Sequence, residues 1–171
     1  LFVEQVTARE TQDGGDYSPY NQAIPQQVFW GDTHLHSAMS IDANSAGNER
    51  LMPADAYRFA RGDLVIANNG KPVKLNTPLD FLVVSDHAEY LGLFPRLRSG
   101  DASLQKSERG REYLAALQQG AKEAFNLFVN FGTAFIASDD KYLIPEITND
   151  SWKKNSAVAD EYNDPGKLTT L

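Results

Sequence analysis

The chain has 171 residues, a hydrophobic fraction of 42% and a formal net charge of -7, which allows one domain with a sizeable core and excludes disorder as the default. That acidic balance argues against a broad phosphate-tracking surface, so nucleic acid is not an expected partner. Cysteine is absent, which excludes disulfides and thiolate metal sites and leaves imidazole and carboxylate as the ligands available.

No apolar stretch approaches the roughly 20 residues that span a bilayer, so no membrane span is expected. The compartment stays open, with a periplasmic or secreted location expected ahead of a cytoplasmic one. Residues 1–27 are polar and turn-rich, with Asp13-Gly14-Gly15-Asp16 and Ser18-Pro19-Tyr20-Asn21, and read as an irregular lead-in. Val28-Phe29-Trp30-Gly31 then forms a β-favouring run that reads as a buried strand and passes into Asp32, His34 and His36. Alternate residues of an extended segment share a face, so His34 and His36 can reach one ion together.

Ser37 to Met52 is rich in small and polar residues and predicts a loop carrying Ser40-Ile41-Asp42. Residues 53–61 predict a short helix with Pro53 in its first turn and Gly62 closing it. Asn68-Asn69-Gly70-Lys71 lies between two β-prone runs, which predicts a hairpin at 63–75, read as an insertion at the mouth of the site. Leu79 to Val84 is the most apolar run in the chain, as in a parallel strand covered on both faces, and it delivers Asp86, His87 and Glu89.

Beyond it, residues 90–98 predict a short helix around Pro95, and residues 107–131 a longer one through Tyr113, Leu117, Phe125 and Phe128, with Gly120 weakening its continuity. A further helix is expected from Asn149 or Asp150 to Glu161. The order is strand, helix, strand, helix, strand, an α/β pattern with three main strands. The chain opens at Leu1 without methionine and stops inside Lys167-Leu168-Thr169-Thr170-Leu171, which reads as the start of a strand, so a truncated or cleaved chain is expected.

All three histidines thus fall at two strand ends, where a divalent ion can be held by neutral nitrogens with positions left for carboxylate, water and substrate. Asp32 either caps a turn, orients an imidazole or binds metal. Asp42 is either a ligand folded back from its loop or a solvated carboxylate. Asp86 and Glu89 are the candidate catalytic carboxylates, Glu89 either accepting a hydrogen bond from a ligand, shuttling a proton, contacting substrate or only capping a helix. Ser37 and Ser85 read as supports for turns. Arg50, Arg58, Arg61 and Lys71 either attract an anionic small molecule or are solvated surface charge. The sequence contains no glycine-rich dinucleotide fingerprint, Walker loop or nucleophile elbow.

Asp32-Thr33-His34-Leu35-His36-Ser37 and Val84-Ser85-Asp86-His87 resemble the first two motifs of the polymerase-and-histidinol-phosphatase (PHP) superfamily. The longer segments Phe29 to Ser37, Ser40-Ile41-Asp42 and Pro78 to Gly92 are most similar to its domain-of-unknown-function 3604 family. The resemblance implies a distorted, TIM-like (β/α)7 barrel, of which residues 28–171 would supply the amino-terminal part and about the first three strands. It also implies a site of two or three metal ions and phosphoester hydrolysis; nitrogen and oxygen ligands suit zinc, manganese, iron or nickel. By the same resemblance His34, His36 and His87 match metal ligands, Asp42 a further ligand and Asp32 the leading motif aspartate. Asp86 either binds metal or supports a ligand. The family pattern continues with a bridging glutamate and later histidines that this chain does not contain, so the remaining ligands are expected from the rest of the same protein or a complementary chain, and this chain alone is expected to be a weak or inactive catalyst. A His-x-His strand end also suits amidohydrolase-like C–N hydrolysis, and a non-catalytic metal-binding module is the alternative of a different class.

Overall fold

The structure is a computed structural model and describes residues 27–171, so all but the last residue of the expected lead-in lies outside the described residues. Strand β1 (Gly31–Leu35) leads to helices α1 (Ile41–Ser45) and α2 (Pro53–Ala60) and to the antiparallel pair β2 (Val65–Ile66) and β3 (Pro72–Val73). Strand β4 (Phe81–Val84) follows, then α3 (Leu93–Ser99), α4 (Glu108–Gln119), α5 (Ala121–Ile136), α6 (Pro145–Tyr162) and the short β5 (Thr169–Thr170). Among the described residues, no helix is long and apolar enough to cross a membrane.

β1, β4 and β5 form one parallel sheet with β4 in the centre. Parallel neighbours require long crossovers, supplied here by α2 with the hairpin and then by α3 to α6. Apolar side chains of α2 and α6 cover one face of this sheet: Tyr57, Ala60, Leu82, Val84 and Leu168 cluster there, joined by Val158, Ala159 and Tyr162. The sheet is held at its far edge as well, since the Tyr57 hydroxyl donates to the Leu171 carbonyl at 3.0 Å and Thr170 Oγ1 donates to the Ala159 carbonyl.

The burial of the strands corrects the sequence expectation. β4 alternates, with Leu82 and Val84 buried and Phe81 and Val83 half-buried, because α2 and α6 pack on one face only. Gly31 to His34 are exposed, and Val28, Phe29 and Trp30 precede the strand with their side chains exposed. The predicted strand therefore starts later, and the motif itself forms the strand.

A second core lies among the helices. Phe131 is fully buried and its ring meets those of Tyr90, Phe94, Tyr113, Phe128 and Tyr142 at centroid distances between 5.0 and 6.3 Å, the separations favoured by tilted and edge-on aromatic pairs. The expected helix over 107–131 is two helices, because Gly120 takes φ 132°, outside the helical region. Ser107 starts α4 by accepting the Gly110 N–H at 2.9 Å. α6 begins at Pro145 rather than near Asn149, since a proline in the first turn has no N–H to satisfy.

Candidate metal centre

The site is built on the carboxyl ends of β1 and β4 and the loops that follow them. β1 carries one more residue than β4 between the pairs Asp32 with Leu82 and Leu35 with Val84, which is a β-bulge. Inside it, Asp32 Oδ1 accepts the His34 N–H at 2.8 Å. Asp32 thus supports the backbone of its own strand in the structure.

Just beyond, the segment expected to be a loop contains the one-turn helix α1, and Asp42 lies in that turn. The turn forms because the buried Asn44 Nδ2 donates to the Ala38 carbonyl at 3.0 Å and Ile41 enters the helical core. It brings Asp42 Oδ2 to 2.7 Å from His36 Nδ1 and 3.5 Å from His87 Nε2. One potential ligand atom from each of His36, Asp42 and His87 lies within 4.8 Å of the other two. Two nitrogens and a carboxylate oxygen at that spacing match the donor chemistry of a borderline divalent ion such as zinc, manganese, iron or nickel.

His34 stands at the edge of this group. Its ring centroid is 4.9 Å from that of His36, which is in turn 4.9 Å from that of His87, yet His34 is exposed and outside the three-ligand set. Glu89 Oε2 is 4.0 Å from His87 Nδ1, and the far side of the His87 ring meets the edge of Phe135 from α5 at 5.2 Å.

Two serines tie the β1 loop to the β4 loop. Ser37 donates both its N–H and its hydroxyl to the Asp86 carboxylate, the latter at 2.7 Å. Burial pushes the Asp86 carboxyl up from its usual range, and the two Ser37 hydrogen bonds partly offset this. Asp86 lies outside the three-ligand group; it anchors the loop that carries His36. Ser40, fully buried, donates to Asp42 Oδ1 at 2.6 Å and accepts the His87 N–H at 3.0 Å. Partial burial works against the charge of Asp42, but hydrogen bonds from Ser40 and the Ala43 amide, with the His36 ring, hold its carboxyl down to about 2.

Ser40 is the residue that sequence reasoning missed. It stands in the Ser-Ile-Asp triplet that drew attention to Asp42, but its bond to the amide of His87 spans 47 positions, and no local pattern encodes that.

Fold and site define an α/β protein whose parallel strands end in a candidate nitrogen and oxygen metal centre. The chain belongs to the family described as Protein of unknown function (DUF3604), whose model matches residues 23–171. No curated protein and no solved structure matches it.

Proposed function

We propose that the protein is a metal-dependent hydrolase acting on phosphoesters of small anionic molecules, in a distorted (β/α)7 barrel of the PHP type to which the described strands contribute. The grouping of His36, Asp42 and His87 at parallel strand ends carries this reading. A divalent ion held there supplies positive charge to a phosphoryl oxygen and makes water more acidic. In this reading further ligands come from the rest of the same protein or from a complementary chain.

The side chains divide the work by position. Asp42, ionised down to about pH 2, sets the charge of the centre and keeps His36 in place through Nδ1. Ser40 fixes the orientation of Asp42, and Asp86 fixes the loop before it. Glu89 reaches toward His87 Nδ1 from the β4 loop, within reach to orient that ring or to pass protons between solvent and the centre.

The test is turnover of a phosphomonoester panel by the full-length protein with bound metal quantified, beside His36→Ala, His87→Ala and His34→Ala. Loss of metal and a fall in kcat/KM of about 100-fold or more is expected for the first two. Unchanged activity in both overturns the assignment.

A further inference from the structure

A cavity of about 210 Å3 adjoins the centre on the α2 side of β1. Leu35, Ala56, Phe59, Val65, Ala67 and Val73 line it, so α2 forms one wall and the β2–β3 hairpin another. His36 and Ser37 also line it; His36 bonds to Asp42 of the candidate metal centre, and Ser37 to Asp86, which anchors the loop beside it. Cavity and centre therefore share His36.

Polar side chains at the cavity are already engaged. Asp55 accepts the Met52 N–H at 3.1 Å and pairs with Arg58. Asn48 Oδ1 accepts from the Leu51 N–H at 3.0 Å and from Asn68 Nδ2 at 3.2 Å. The hairpin is held down by Arg50, which donates to the carbonyls of Ile66 at 3.2 Å and Ala67 at 2.7 Å. What remains toward the interior is carbon, and a dry apolar cavity of about 150 Å3 is enough to take benzene.

We propose that this cavity receives the apolar group of the substrate, so that the preferred substrates are phosphomonoesters of an aryl or branched-alkyl alcohol. The inference rests on the phosphoesterase reading and adds the class of leaving group. In the reaction water gives its oxygen to phosphorus and a proton to the departing ester oxygen, releasing the apolar alcohol and inorganic phosphate. The hairpin then acts as the specificity element, because Val65, Ala67 and Val73 are its contribution to the cavity wall.

The test measures binding of methylphosphonate, butylphosphonate and phenylphosphonate to the manganese-loaded protein by calorimetry, which needs no turnover. Phenylphosphonate is expected to bind roughly 10-fold more tightly than methylphosphonate, with butylphosphonate between them. Val73→Trp, at a half-exposed hairpin position, is expected to reduce the phenyl-to-methyl ratio toward one. Circular dichroism reports whether that variant folds, and Ala67→Leu provides a smaller plug if it does not.

Equal affinity for the three phosphonates overturns the inference and leaves the phosphoesterase reading standing. A preference that survives both plugs places the aryl site elsewhere and also overturns it. Absence of binding by any phosphonate, with manganese bound, overturns the phosphoesterase reading and the inference with it.

Discussion

The helical core and the sheet solve burial differently. Around Phe131, aromatic rings from α3, α4, α5 and the β4 loop close on one another, and Leu104, Leu127, Ile144 and Ile147 complete the shell. The sheet is covered on one face by α2 and α6, while β1 keeps most of its surface exposed. The candidate metal centre lies at the junction, with His36 and Asp42 following β1 and His87 resting against Phe135 of the helical side. Apolar packing dominates the helical region, and hydrogen bonds from Ser37 and Ser40 place the candidate site where the two regions meet.

Removing an apolar side chain from each region should show the largest difference between them. Phe131→Ala is expected to cost about 3–5 kcal/mol in urea unfolding, as for a fully buried aromatic ring. Val83→Ala on the half-buried face of β4 is expected to cost about 1 kcal/mol. Similar losses from the two would show that the sheet is packed as tightly as the helices.

Next in size is Ser40→Ala, which removes the donor to Asp42 and the acceptor for the His87 amide. Metal affinity is expected to fall about 10–100-fold, the range for groups that orient ligands, as measured by competition with a chromogenic chelator. An unchanged affinity would mean that the centre is held by packing alone.

Gly31→Ala probes the sheet edge. A Cβ there would collide with the Phe81 carbonyl and ring, so β1 must shift from β4, at a cost of about 1–3 kcal/mol. Metal affinity should fall with it, because His36 follows the displaced strand. A loss of stability with affinity intact would separate the sheet register from the site.

Acid titration gives the smallest expected effect. The folded Asp42 carboxyl is held at about 2, against 3.8 ordinarily. Its contribution is thus complete above the unfolded value and disappears as pH falls through 2. The side chain is 47% exposed, so solvent screening keeps the contribution below about 1 kcal/mol. In the metal-free protein, the stability difference between wild type and Asp42→Asn is expected to be constant from pH 7 to 5 and to shrink toward pH 2. A gap that persists at pH 2 would assign it to another cause.

Particular residues show how far the sequence could be read. The apolar run before His87 and the β-prone residues before and within the His-x-His motif identify two strands, and parallel pairing follows from the helices between them. Pro53 and Gly62 bracket α2, and Pro95 lies within α3, because first-turn prolines and left-handed glycines act locally. The start of β1 was less legible. Val28 to Trp30 have strand propensity, but pairing begins at Gly31, where an absent Cβ lets β4 approach.

Strict alternation along β1 predicts that His34 and His36 serve one ion alike. Their rings do lie 4.9 Å apart, while the three-residue group contains His36 and omits His34. Asp42 was legible as a candidate because it follows His36 closely, but only its helical turn decides where the carboxylate points. Asp86 shared a motif with His87, and only the fold shows it accepting from Ser37 across 49 positions.

The α/β order of elements and the nitrogen and oxygen donors available to a candidate site were thus legible in the chain alone. Absence of cysteine, three histidines in two short motifs and apolar periodicity are properties of residues near one another in the chain. The assembled fold set which candidate ligands converge, that Ser40 joins them, and that an apolar cavity under the hairpin shares His36 with the candidate centre. Those features depend on contacts between distant segments, whose hydrogen bonds and side-chain packing exist only once the strands and helices have assembled.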